Sequence, residues 1–585
     1  MTFSDAVTAG TVTLTNAGTT PNNVIAFQGN TSVTTGLSAA NNGFAVSFTG
    51  ASNDVAGSTT FLNDGGIIFG DADTDSITFA GGLVTTGATG TLTLMGHVLT
   101  TDTAMSLGPA TLAADTWLDS GTGTLTLGNV DGTFDLDIAC GAVTLGGAIG
   151  SGTVLASLVI AGSGVVALPV VTLDAGGSLS VTAGGNITQG GILTVPGTAS
   201  FDPGAANSVA LGGLANLFGT VEVAQGVDAA FRDANAIVLG AVTITGNLSV
   251  TAGASGAGNV TQSGVLDIGG TTTITAGTAG TTIDLSTQAN VFDGAITVSG
   301  NGLIGNLLIR NDTGAAGMPT LPTGMTNLTL TWNSAGLTLP AVTLAAGGNL
   351  TVTAGGTIDQ SGILTVPGTA SFDPGAAGSV TLDTQANLFG TVGVTQGVDA
   401  SFRDANAIIL GATSISGNLV VTTDAGGITQ SGALVIPGTS SFSATSGVIT
   451  LTTGTNNFTG AVTLTNTGGS PVSITDTNGI TIGQTSVTGA LTIDGGGVSE
   501  LGSTGTVACN GIFSATAAGN LTISNPISNG AFGVTITTSA AMYRIYLNYT
   551  GTVVQTDGGA VTFSRRVVLQ QNSTIDTDAV GGNTN

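Results

Sequence analysis

No lysine occurs anywhere in the 585 residues, and the chain holds only six arginines, one histidine, two cysteines and two glutamates, Glu222 and Glu500. Charged residues make up 7% of it, against roughly a quarter in an average globular protein, so Thr, Ser, Asn, Gly and Ala must cover the surface. The formal net charge of −27 repels nucleic acid and anionic membranes, which excludes both as partners. Cys140 and Cys509 are too far apart in sequence for a disulfide framework or a metal site of short ligand spacing. No apolar run reaches the ~18 residues of a transmembrane helix. The 13 prolines and 96 glycines follow no three-residue period, which excludes collagen. Glu and Lys, the usual helix-surface residues, are nearly missing and Gly interrupts almost every short window, so no helix is expected. Val, Ile, Leu and Ala run through the whole length, so a core can form and a disordered acidic chain is excluded.

What the sequence does contain is repetition. ILTVPGTASFDPGAA at Ile192 to Ala206 recurs unchanged at Ile363 to Ala377, and FRDANAI at Phe231 to Ile237 recurs at Phe402 to Ile408, both at an offset of 171. Phe218, Phe292, Phe389 and Phe458 mark the units at spacings of 74, 97 and 69, which read as three, four and three multiples of about 24, one structural coil. Seven such coils would then separate Ile192 from Ile363. Within a coil, short segments such as VTL, NLTVT and ILTV in Ala341 to Val366 alternate apolar and Thr residues at period 2, separated by Ala-Gly-Gly and Gln-Ser-Gly turns. The expected fold is all-β, a parallel β-solenoid with about three short strands per coil and coils of roughly 20 to 28 residues. Residues 1–165 read as Gly/Thr-rich coils, 166–465 as the long duplicated units, and 466–585 as divergent coils ending in the Tyr- and Arg-richer segment.

The phrases GNLTVTAGGTIDQSGILTVPGTASF (Gly348 to Phe372), FRDANAIILGATSISGNL (Phe402 to Leu419) and TLTLMGHVLTTDTAMSLGPATLAADTWL (Thr91 to Leu118) resemble the repeat text of large bacterial surface exoproteins of the filamentous haemagglutinin kind. That resemblance implies a right-handed parallel β-helix, an extracellular or cell-surface location, and a non-enzymatic role as an adhesin stalk or matrix fibre. Its partners would be further copies of itself, stacked head to tail or side by side, other surface components, or carbohydrate, with no insertion into a membrane. Neither a secretory leader at Met1 to Ala6 nor an anchor near Asn585 is legible, so the chain reads as a segment of a longer polypeptide. A carbohydrate- or ice-binding solenoid is the rival binding reading, from Thr-x-Thr runs such as Thr11 to Thr15; a polysaccharide-cleaving β-helix with clustered Asp is the rival enzyme.

Few residues suggest chemistry. Asp71, Asp73 and Asp75 in GDADTDS, and Asp131, Asp135 and Asp137 in DGTFDLD, alternate so that each trio would lie on one side of a strand, a pattern open to a solvated turn, to Ca²⁺ or to catalysis. Neither trio has the glycine and terminal glutamate of an EF-hand loop, and no other cofactor is expected. Tyr543, Arg544, Tyr546 and Tyr549 in YRIYLNY concentrate aromatic and cationic groups near one end and are the candidate partner contact, with Tyr543 and Tyr549 expected on the face of Ile545 and Leu547. The repeated Arg232-Asp233 and Arg403-Asp404 read as local charge pairs closing a corner, and the sole histidine, His97, as solvent-facing or satisfied. The Asn-x-Ser/Thr triplets at Asn186, Asn247, Asn327, Asn349 and Asn457 follow from an Asn/Thr-rich composition.

Overall fold

A computed structural model describes residues 1–15, 23–313 and 317–578. Strands, turns and bends fill them, without a helix. The chain winds as a parallel β-solenoid of about 26 turns, each of about 22 residues, slightly tighter than the 24 expected. At that length the 171-residue offset takes eight turns rather than seven. Two compact units divide it, Met1–Ile304 and Gly305–Asn585.

In the first unit one ladder runs Leu158, Leu179, Ala199, Val221, Leu239. Another runs Val166, Ile187, Val209, Ala229, Leu248, Thr272, Ile296. The second unit repeats the arrangement, with Leu328, Leu350, Ala370, Val392, Leu410 on one side and Leu337, Ile358, Val380, Ala400, Leu419, Ser440, Val462 on another. Every one of these inward positions is buried. Period-2 alternation thus becomes a column of branched apolar side chains inside and Thr or Ser outside, each coil covering the last at ~4.8 Å. Phe27 and Phe48 show that spacing directly: partners in register, their rings stack 4.7 Å apart and 4° from parallel.

The corners follow turn chemistry. In the duplicated Asp-Pro-Gly turns, Gly204 and Gly375 take φ of 79° and 70°, the left-handed value that the third residue of a type II turn requires and that only Gly adopts freely. Asp202 and Asp373 cap the same turns, each accepting the glycine N–H at 3.0 Å.

The repeat itself does not fit a whole number of turns. LSVTA at Leu179–Ala183 returns at Leu248–Ala252, yet Leu179 stands on the ladder of Leu158 and Leu248 on that of Ala229. In the second unit Leu350 and Leu419, heads of LTVTA and LVVTT, part in the same way between two ladders. Units of 69 to 74 residues at about 22 per turn therefore wind three turns and one side more. Consecutive repeats present equivalent strands on successive sides of the prism, a rotation that the reading as three multiples of 24 did not contain.

Candidate functional site: a recurring buried corner and an exposed aromatic face

Polar residues recur at one corner of all four long units, buried or half-buried. Gln189, Gln262, Gln360 and Gln430 each close a short strand, and one coil later Asn216, Asn290, Asn387 and Asn456 come to rest beside them, each fully buried. The two amides exchange hydrogen bonds: the Gln Nε2 donates to the Asn Oδ1 at 3.0, 2.9, 2.9 and 2.8 Å, and the Asn Nδ2 donates back to the Gln Oε1 at 3.2, 2.9, 2.9 and 2.9 Å. The same Asn Oδ1 accepts the N–H of Leu193, Leu266, Leu364 or Leu434, while its Nδ2 reaches the carbonyl of Leu211, Leu285, Leu382 or Leu451. A corner where the chain leaves the ladder is thereby left without orphaned backbone groups, which is what burial demands.

A carboxylate completes three of these corners. Asp233, Asp404 and Asp476 are buried and accept the N–H of Phe218, Phe389 and Phe458 at 2.7, 2.7 and 2.6 Å. Each also accepts the N–H of the Asn two residues on, at 2.7, 2.8 and 2.7 Å. Burial holds all three above the ordinary carboxylate range, against the downward pull of those two bonds. Asn311 holds the equivalent place in the remaining repeat.

This geometry corrects the reading of Arg232-Asp233 and Arg403-Asp404 as local pairs. Neighbours on a strand face opposite ways, so the Asp turns inward and the Arg outward. Arg403 instead forms a bidentate pair with Asp424 one coil on, Nη2 to Oδ2 at 2.9 Å. Among the described residues Arg232 pairs with no such acid, and its buried Nε finds no hydrogen-bond partner there.

The Asp71, Asp73, Asp75 trio does not assemble as a metal site. It occupies a turn rather than a strand, so alternation does not operate there. Asp75 is buried and spends Oδ2 on the N–H groups of Asp71 and Ala72, at 2.8 and 3.1 Å. Its hydrogen bond to the Asp71 carboxyl, with burial, raises Asp71, while Asp73 stays exposed in solvent. No group of three or more His, Cys, Asp or Glu able to hold a metal forms among the described residues. The second trio is split between strands: Asp131 lies on the ladder of Thr111, Asp135 and Asp137 on that of Thr116 and Trp117. Asp131 borders a cleft of about 480 Å³ with Thr85, Thr89, Thr91, Thr111 and Asn129, where its Oδ1 accepts the N–H of Gly152 and Thr153.

YRIYLNY is likewise a strand only at Ile545–Leu547. Ile545 and Leu547 are buried and Tyr546 faces outward between Thr522 and Val568. Tyr543 and Tyr549 lie outside the strand, two residues before Ile545 and two after Leu547, and both are half-buried. Arg544 is exposed, and no tyrosine ring contacts another ring among the described residues. The Asn-x-Ser/Thr asparagines serve the stack: Asn186, Asn247, Asn327 and Asn349 accept the backbone N–H of Ser208, Thr271, Asn349 and Thr369 in the next coil.

One outward face was not anticipated. His97, Trp117 and Asp137 are partners on three successive strands, Trp117 is 42% exposed, and its ring lies 5.0 Å from that of His97. The members are about 20 residues apart, so only the coil length brings them together.

Four stretches of the chain, residues 156–225, 226–299, 325–396 and 397–465, match a family described as repeats of unknown function (DUF5649). No curated protein and no solved structure matches the chain. Each of these family repeats carries one Gln–Asn corner, and the pair 156–225 and 226–299, like 325–396 and 397–465, places that corner on successive sides of the prism.

Proposed function

We propose that this chain is a structural, non-enzymatic solenoid of the bacterial cell surface, an adhesin stalk or extracellular matrix component whose work is to hold a stiff span. One observation carries the reading: the polar residues that recur at one corner of all four repeats are spent on contacts between the chain's own coils. Gln, Asn, Phe and Asp or Asn recur at the corners, where they hold one coil on the next. The outward neighbours are kept only in part: Leu217 and Leu388 agree before the Phe but Val291 and Asn457 differ, and Arg232, Arg310 and Arg403 agree before the Asp or Asn but Thr475 differs. The resemblance to filamentous haemagglutinin repeats supports the surface location, and near-absence of charge suits stacking at ~4.8 Å, where columns of like charge would repel. Immunogold labelling of intact and lysed source cells tests the proposal: label outside the envelope on elongated material is expected, and label confined to the interior overturns it.

A second reading, a solenoid that binds a polysaccharide or ice surface, draws on one face of the second unit. There Thr450, Ser473, Thr492, Ser514, Thr535 and Thr562 stand in one outward column, with Thr475, Thr516 and Thr537 two residues along. Asp494 interrupts that second column.

A further inference from the structure

The exposed Trp117 lies at the centre of an acidic ring. Asp115 and Asp119 flank it at two residues on its own strand, Ala110–Asp119, where Asp115 and Trp117 are exposed, Asp119 is half-exposed, and Thr116 and Leu118 between them turn inward. Asp137 is its partner on the next strand, and Asp135 sits beside Asp115, its N–H donating to the Asp115 carboxylate at 3.1 Å. His97 closes the remaining side. None of these four carboxylates belongs to a salt bridge, and the two ion pairs found among the described residues, Arg310–Asp312 and Arg403–Asp424, both lie in the other unit. Arg232 is the one Lys or Arg among residues 1–304. Burial first, and then the neighbouring Asp135 and Asp115 carboxylates, hold the Asp137 carboxyl above its ordinary range.

From this charge pattern we infer that the Trp117 face docks an extended basic segment of another polypeptide. A cation over an indole face is attracted by the ring quadrupole, the more so as it is desolvated, and the flanking carboxylates supply the attraction that brings it there. Spacing agrees. Asp115, Trp117 and Asp119 follow one another at two-residue steps of ~6.7 Å, the step at which an extended peptide presents alternate side chains, so three lysines at alternate positions meet two carboxylates and one ring. The partner is not a second copy through lysine, because this chain has none. A row of exposed side chains along one strand suits an extended segment rather than a small ammonium ion, which would need enclosing walls.

Trp117 also reports on its own occupancy, since the other tryptophan, Trp332, is 1% exposed and serves as an unperturbed reference. Titrating the full chain with acetyl-Lys-Ser-Lys-Ser-Lys-amide should shift and quench the exposed indole's emission saturably. Trp117→Ala should weaken binding, read by calorimetry, at least tenfold, and Asp115→Asn with Asp137→Asn severalfold with the indole still present. All these side chains point outward, so the circular dichroism of the variants should match the parent. Equal peptide affinity in parent and Trp117→Ala would show adventitious attraction to an acidic chain and overturn the proposal. So would saturable quenching by a glucosamine oligomer with none by the peptide, which would make this a polysaccharide face.

Discussion

Asn387→Leu isolates the buried corner, because leucine matches asparagine in shape and removes only its polarity. The substitution deletes the Oδ1 that accepts the Leu364 N–H at 2.9 Å and the Nδ2 that donates to the Leu382 carbonyl at 2.9 Å, and it strips Gln360 of both bonds to its partner. Each buried backbone group left unsatisfied costs about 1–3 kcal/mol, so two of them together with the stranded Gln360 amide amount to about 4 kcal/mol. In a solenoid each coil is held only by its neighbours, so the loss should appear as local opening. By the tenfold per 1.4 kcal/mol rule, hydrogen exchange at Leu364 and Phe389 should accelerate about a thousandfold, while the equivalent corner at Asn216 in the other unit keeps its protection. Gln360→Leu combined with Asn387→Leu should cost less than the two changes added, since the stranded amide is gone while the two backbone groups stay orphaned in both. Exchange at Leu364 and Phe389 unchanged from the parent, with the variant folded, would refute the account of this corner.

The buried carboxylates give the fold a pH response of definite sign. Their folded pKa values lie above the ordinary Asp value of ~3.9, so ionisation opposes folding and the stabilising contribution, present at low pH, is lost as pH rises through the folded value. Asp404→Asn, which copies Asn311 of the sister repeat, should therefore gain most over the parent near neutrality and lose that advantage towards pH 4 in thermal melts; a constant difference across that range would count against burial as the cause. Spin labels at Ser180 and Ser200, neighbours on one ladder, should couple strongly. Labels at Ser180 and Ser249, equivalent in sequence but on different ladders, should lie farther apart than the ~14 Å of three coils stacked directly, and a distance near that value would remove the rotation of successive repeats. Burial pushes the Cys140 thiol up to about 11 and raises Cys509 as well, so neither should react appreciably with a thiol reagent at pH 8 until the chain is unfolded; labelling of the native chain within minutes would contradict that.

The absence of helix formers, the Thr-x-Val alternation and the Gly-rich punctuation determined the all-β solenoid and its approximate coil length from sequence alone, because strand period and turn chemistry are local properties. The corner was half legible: Gln-Ser-Gly and the Phe of Asn-Leu-Phe-Gly stood out as repeat markers, but a marker does not reveal its partner 26 to 28 residues away. Coil length is what the sequence blurred, and everything that depends on summing it was decided by the tertiary structure. An error of two residues per turn, accumulated over three turns, is about one side of the prism, which is why equivalent repeats were expected in line and are found turned. The same winding placed Asp404 against Phe389 and sent Arg403 to Asp424, whereas the Asp71, Asp73, Asp75 trio fell to a local turn in place of a strand. It also gathered His97, Trp117 and Asp137 into one outward face, since residues a coil apart become neighbours only when the intervening corners have used up their share of the chain.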